Sequence, residues 1–276
     1  MIRNVGVIGL GKMGHPMVRH LIAKGFWVAA YDLDDARRGA AAALGAQICG
    51  SPAEVAAVSE AVIVVVGFDN EVRDVVDGPK GLLSRARDGM AIAVASTVSI
   101  ETMREIDSLA RAAGKNFGVL DIPLCRGEPA AEAGKLLLMA GGDAELFERC
   151  RPVFAAFADD QYLLGAVGAG QVGKMINNLL LWACVSANHE GLKLGEALGV
   201  QSETLRQALL KSSGANWALE TWLQPRPMPW AEKDMVIVME EAGNARLSLP
   251  LCGVVREVIK GIKIEKGLPP PPKVPK

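Results

Sequence analysis

Val5-Gly6-Val7-Ile8-Gly9-Leu10-Gly11-Lys12-Met13-Gly14 decides how this chain is read. Val5–Ile8 is a short, β-prone apolar run. A G-x-G-x-x-G pattern follows without a gap, and helix-forming residues then continue through Met17–Ala23 to Gly25. The glycine pattern alone is weak evidence; between a strand and a helix it has the context of a dinucleotide-binding turn. Gly9 makes the tight turn, Gly11 lets a pyrophosphate approach the backbone, and Gly14 allows the helix to pack closely on the strand. The helix start presents unpaired N–H groups and a positive dipole end to phosphate. Gly9, Leu10, Gly11, Lys12, Met13 and Gly14 are therefore the expected cofactor loop.

Working outward, the next apolar run, Trp27–Tyr31, ends in Asp32. An acid there accepts hydrogen bonds from the adenosine ribose and repels a 2′-phosphate, which favours NAD. The competing reading makes Asp32 a cap for the helix that starts near Asp34–Arg37. Arg37 and Arg38 leave NADP open. Strands and helices then alternate as a doubly wound sheet requires. Ser51-Pro52 reads as a capped helix start. Ala61–Val66, Ala91–Ala95 and Val119–Ile122 read as strands, the first two continuous apolar runs of a parallel sheet covered on both faces. Ligands gather at the C-terminal ends of such strands, so Gly67, Thr97 and the Asp121–Gly127 loop are expected to face the cofactor crevice.

The bulk numbers exclude other classes. The 276 residues suffice for two domains, with 50% hydrophobic and 22% charged residues, as in an ordinary globular protein. A net charge of −1 and only 5% aromatic residues give neither a field nor a stacking surface for nucleic acid, nor attraction to an anionic membrane. Five scattered cysteines without C-x-x-C spacing point to no zinc site and no disulfide framework. With no basic, apolar leader at the N-terminus, a cytoplasmic protein is expected. No metal is expected.

A second chemical stretch is Gly168-Ala169-Gly170-Gln171-Val172-Gly173-Lys174-Met175-Ile176-Asn177-Asn178. From Gln171 to about Leu198 the pattern is helical and apolar through its middle, which points to burial and to a face shared with another subunit. Lys174 and Asn178 share a face of that helix, with Asn177 beside them. A lysine positioned by an asparagine can act as general acid or base, and equally a Lys–Asn pair can lie on any helix surface. Arg126 would suit an anionic group, or would pair with Glu128 or Glu132. Further helices over Ser202–Leu210, Ala231–Glu241 and Leu251–Ile264 complete an all-α domain. The expected organisation is α/β: a Rossmann domain over 1–165, an all-helical substrate and dimerisation domain built on the long helix over 166–266, and a Pro-rich tail over 267–276.

Four stretches, in order along nearly the whole chain, resemble the β-hydroxyacid dehydrogenases: Gly9–Met17, Asp121–Gly127 with Gly134 and Gly141-Gly142, Gly168–Asn178, and Lys233-Asp234-Met235. The resemblance implies an NAD(P)-dependent oxidoreductase that interconverts a small β-hydroxyacid and its semialdehyde or keto form. Lys174 would exchange the proton with the substrate oxygen and Asn178 would orient it. Thr97 would approach nicotinamide and the reacting group, Lys233 would contact the cofactor, and Asp234 would support the site. Cys125, Arg126 and Gly127 stand where the family usually reads serine, glycine and glycine; sulfolactaldehyde reductases of the same family have arginine at the second place. Arg126 then meets a carboxylate, sulfonate or phosphate head, and Cys125 is a spacer. Imine-forming relatives usually replace the lysine, and an idle dinucleotide sensor would not need Lys174, Asn178 and Lys233 together. The expected assembly is a homodimer or homotetramer.

Overall fold

The structure is a computed structural model that describes residues 1–114 and 116–272. It divides into two compact units, Met1–Lys174 and Met175–Lys276.

The first unit opens with β1 (Asn4–Ile8), α1 (Gly14–Ala23), β2 (Trp27–Tyr31), α2 (Asp35–Ala43), β3 (Gln47–Ile48), α3 (Pro52–Val58) and β4 (Ala61–Val64). It continues through α4 (Asp69–Asp77), α5 (Leu82–Arg85), β5 (Ala91–Val94), α6 (Ile100–Ala112) and β6 (Gly118–Asp121). All of these strands pair in parallel, in the order β3-β2-β1-β4-β5-β6. β4 and β5 are buried at every residue, because helices cover both faces. One apolar layer holds Met17, Leu21, Phe147 and Phe154; the other holds Val55, Val72, Ile92 and Ile106. Side-chain caps start three of the helices: Ser51 with Pro52 for α3, as the sequence reads, Asp34 rather than Asp32 for α2, and Ser99 for α6.

Beyond β6 the sheet becomes mixed. β7 (Leu124–Cys125), α7 (Gly127–Ala133), β8 (Leu136–Gly142), α8 (Ala144–Phe154) and β9 (Ala158–Gly165) follow. β8 runs antiparallel to both β6 and β7, and β9 lies parallel to β8. Strands β3, β7 and β9 have no counterpart in the sequence reading. Two residues carry no periodicity, and β9 is half-exposed with Tyr162 and Leu164 at its surface, so it has no continuous apolar signal. The runs read as strands over Ala61–Val66 and Ala91–Ala95 leave the sheet early, at Val64 and Val94; their last residues form the turns at its C-terminal edge.

α9 (Ala169–Ala197) begins in the first unit and continues into the second. It starts before Gln171, and Gly170 lies within it, because a distant carboxylate caps its first turn, as described below. The division between the units thus falls inside the helix rather than before it. The second unit adds α10 (Ser202–Leu209), α11 (Trp217–Glu220), α12 (Ala231–Asn244) and α13 (Pro250–Glu265). Its core joins Trp182 and Val185 to Met235, Val238, Val255 and Ile259. Lys263, buried in this layer, pairs with Glu232 at 2.8 Å and ties α13 to α12. Of the tail, Leu268 packs against this core and 268–272 form no regular element; 273–276 lie outside the described residues. Among the described residues no helix is long and apolar enough to cross a membrane.

Candidate active site

The glycines after β1 separate into two kinds. A Cβ on Gly9 would lie 2.2 Å from the Val65 carbonyl oxygen, and one on Gly14 would lie 1.9 Å from that of Gly9. Both are glycine because the fold leaves no room. A Cβ on Gly11 would meet only Arg37 Nη1, at 3.8 Å. Nothing in the chain's own packing requires glycine there, so the space over Gly11 fits a group that comes from outside, as a dinucleotide pyrophosphate does. Leu10 is buried and Met13 packs against the core, so their side chains serve the loop's footing. Lys12 is exposed and pairs with Glu128. Gly11→Ala is therefore expected to fold as the wild type does, yet to bind NAD about tenfold more weakly or worse, on the order of 1.4 kcal/mol. Calorimetric titration beside a melting curve separates the two effects; unchanged affinity would remove this loop from the cofactor site.

Asp32, at the end of β2, is buried. Its Oδ2 accepts from Leu10 N at 2.6 Å, its Oδ1 from Asp34 N at 2.9 Å, and Arg37 Nη1 lies 3.6 Å from Oδ2. The cap of α2 is Asp34, so Asp32 is left to shape the glycine loop. Arg38 turns to the Asp32 carbonyl and pairs with Asp35, whereas Arg37 reaches the Asp32 carboxylate beside Gly11. The two arginines are not equivalent helix-surface residues.

At the ends of β4, β5 and β6 the expected crevice residues are held by buried polar bonds. Gly67 N donates to Glu71 Oε2 at 2.7 Å. Thr97 lies between Ser96 and Val98, and both neighbours are gripped by Gln171 of α9. Gln171 Nε2 donates to the Ser96 carbonyl at 2.8 Å, and its Oε1 accepts from Val98 N at 3.2 Å. Ser96 Oγ in turn accepts from Val66 N at 2.9 Å. Asp121 is fully buried. Its Oδ1 accepts from Gly168 N at 2.7 Å and its Oδ2 from Gln171 N at 2.8 Å, so it caps α9 from across the sheet. Burial pushes its carboxyl up from the ordinary value, while these backbone N–H groups pull it back down.

Cys125, in β7, is buried, and burial pushes its thiol up; the positive charges of Lys174 and Arg126 offset part of that rise. The structure thus brings Cys125, Arg126 and Lys174 into one electrostatic neighbourhood. A thiol held protonated is a spacer rather than a nucleophile. Arg126 is half-exposed and pairs with Asp160 while also donating to the Lys135 carbonyl. It pairs with neither Glu128 nor Glu132; Lys12 and Arg19 hold those acids. Arg126 takes φ +79°, a left-handed conformation, and Gly127 follows at φ +74°.

In the second unit, Asn178 is buried and its Oδ1 accepts from Asn177 Nδ2 at 3.1 Å. On α12, Lys233 lies over the Trp230 ring at 5.4 Å, and Asp234 Oδ2 accepts from Trp182 Nε1 at 3.0 Å. Asp234 therefore joins α12 to the long helix. Gln171, Ser96 and Trp182 were missed as site-supporting residues. A buried indole N–H demands an acceptor, so Trp182 carried a usable signal; Gln171 carried none, because its partner is remote in sequence. Among the described residues no cluster of His, Cys, Asp or Glu could hold a metal.

A run of parallel strands with a glycine turn after its first and a buried acid at the end of its second is the arrangement of a dinucleotide-binding fold. Residues 4–177 match the NAD binding domain of 6-phosphogluconate dehydrogenase, and residues 168–268 match the NAD-binding region of NADP-dependent 3-hydroxyisobutyrate dehydrogenase. The chain is 33% identical to 2-(hydroxymethyl)glutarate dehydrogenase of Eubacterium barkeri, covering 93% of this chain and 88% of that protein. It is 33% identical to NAD-dependent L-serine dehydrogenase of Pseudomonas aeruginosa, over 89% and 78%. The solved structure of Mycobacterium tuberculosis 3-hydroxyisobutyrate dehydrogenase with L-serine superimposes with a TM-score of 0.87 at 27% identity, over 96% and 95%. The chain belongs to the β-hydroxyacid dehydrogenase family, NAD(P)-dependent oxidoreductases that act on the CH–OH group of small hydroxyacids.

Proposed function

We propose that this enzyme oxidises a small β-hydroxyacid with an anionic head to its semialdehyde or keto form, or runs the reverse reduction, with Lys174 as general acid/base. The observation that carries the reading is Lys174 on the capped start of α9, in the same electrostatic neighbourhood as Arg126 and Cys125 of the substrate loop. When bound, the nicotinamide supplies the hydride chemistry. The chain's own residues do the rest. Lys174 exchanges a proton with the substrate oxygen, Asn178 orients it, and Arg126 with the Gly127 backbone holds the acidic head. Thr97 flanks the reacting centre, Lys233 contacts the cofactor, and Asp234 holds α12 in place. Asp32 favours NAD, and the Arg37 guanidinium beside it leaves NADP usable. The relatives named for 2-(hydroxymethyl)glutarate, L-serine and 3-hydroxyisobutyrate support a small hydroxyacid substrate. The test is a panel of these compounds and of ω-hydroxysulfonates with NAD and NADP, followed by nicotinamide absorbance. Turnover confined to one anionic class supports the reading, and no turnover on any member overturns it. A cytoplasmic location is proposed on the same footing.

A homo-oligomer is part of this reading. Ile176, Leu180 and Leu194 are exposed on α9, with Ala187 and Gly191 between Leu180 and Leu194, and the spacing puts all five on one face. A second copy of the chain is the partner that would bury such a stripe. Light scattering after size exclusion is expected to give a dimer or tetramer that Leu180→Glu with Leu194→Glu dissociates. A wild-type monomer at micromolar concentration would sink the proposal.

A further inference from the structure

We infer that Gln171 and Asp121 are positioning residues for the reaction: together they fix Thr97 and Lys174 against each other. The inference rests on Lys174 being the general acid/base. Gln171 is 3% exposed and reads both sides of one peptide turn, donating to the Ser96 carbonyl at 2.8 Å and accepting from Val98 N at 3.2 Å. Thr97 lies between those two bonds. Gln171 stands on the first turn of α9, three residues before Lys174, so the two side chains share a helix face. A movement of the Thr97 turn is therefore passed to the helix that carries the lysine.

Asp121 fixes the other coordinate, the place where that helix begins. Its carboxylate takes the N–H groups of Gly168 and Gln171 at 2.7 and 2.8 Å. The carboxylate fits only because two neighbours lack side chains. A Cβ on Gly141 would lie 2.5 Å from Oδ1, and one on Gly170 would lie 2.7 Å from Oδ2. The Ser96 hydroxyl, accepting from Val66 N at 2.9 Å, extends the bracket to the end of β4. Three strand ends and one helix start are thus joined by side chains buried together, and each amide and carboxylate atom named has a partner suited to it. Hydride and proton transfer need reacting groups held within a fraction of an ångström, so a bracket of this kind acts on the chemical step more than on binding.

The experiment uses the substrate of highest turnover in the panel above, with Gln171→Met, Gln171→Glu and, as control, Lys174→Met. Gln171→Met keeps the volume and removes both bonds. Its kcat is expected to fall about ten- to a hundredfold while the Kd for NAD stays within about twofold. Gln171→Glu gives a signature that a structural role would not. Its protonated carboxyl donates and accepts as the amide does, and its ionised form repels the Ser96 carbonyl. Activity relative to wild type at the same pH is expected to be high at low pH and to fall as the carboxyl ionises, with melting curves at each pH accounting for unfolding. Wild-type kcat in Gln171→Met, a Gln171→Glu profile parallel to wild type, or losses matched by the unfolded fraction would each overturn the inference alone. Normal turnover in Lys174→Met, or no turnover of the panel by wild type, would remove the reading beneath it.

Discussion

Lys174→Met is expected to lower kcat by roughly 10²–10⁴-fold, the range of a positioned general acid or base, which corresponds to about 3–5 kcal/mol of barrier. Methionine retains the length and the apolar stem, so the helix keeps its packing. What is lost is the ammonium, whose positive charge acts on Cys125 in the proposed substrate loop. The start of α9 does not depend on it, because the cap on that turn comes from Asp121, which accepts from the Gly168 and Gln171 N–H groups. NAD affinity is expected to remain within about twofold, since the glycine loop and Asp32 stand on other elements. Steady-state kinetics with a calorimetric Kd for NAD checks both halves. A variant with normal turnover would mean that another group handles the proton, and Lys174 would revert to a lysine on a helix surface.

Arg126→Gly is expected to lower kcat/KM on the anionic substrate by about 10- to 100-fold, the loss of one charge-assisted hydrogen bond of roughly 1.5–3 kcal/mol. The variant is a clean probe because the fold is indifferent to it. Arginine at φ +79° carries a left-handed backbone cost of about 1 kcal/mol that glycine removes. Against this stand the half-exposed pair with Asp160, worth about 0–1 kcal/mol, and the greater freedom of glycine in the unfolded chain, of similar size. These cancel to within about 1 kcal/mol, so the melting temperature is expected to hold while the specificity constant falls. A panel in which the variant equals wild type would place Arg126 with Asp160 on the surface, and the head group would then be held by loop backbone alone. The strained conformation makes the functional outcome the expected one, because strain persists where something compensates it.

The parts of the fold that were legible are those whose cause is local. β1, the glycine turn and α1 follow from adjacent residues, and α3 starts where Ser51-Pro52 reads as a capped helix start. The shift from parallel to antiparallel pairing at β8 depends on partners distant in sequence, which no local periodicity reports. The same division runs through the site. Asp32 and the glycines could be named from spacing, and the family resemblance named Lys174 and Arg126. What Asp121 does could not be read, because its partners lie on a helix remote in the chain; the sequence reading placed it in a crevice loop, and the structure spends it inside as a cap. Arg126 was weighed against Glu128 and Glu132 because they are near in sequence, and the partner found, Asp160, comes from β9, a strand that pairs with β8 and lies remote in the sequence.

The left-handed turn at position 126 also bears on how this enzyme lineage can change. Arginine and glycine codons differ by a single base, and the backbone there already has the shape that glycine prefers. One nucleotide substitution can therefore add or remove a cation at the start of α7, in the proposed substrate loop, without a compensating change elsewhere in the protein. On the role proposed for Arg126, head-group preference can change at this one position, whereas the buried bracket has carboxylate, amide and glycines fitted to one another and leaves no room for a change at one member alone. Given that role, the residue at this one turn bears on the substrate class in a way that overall identity does not report.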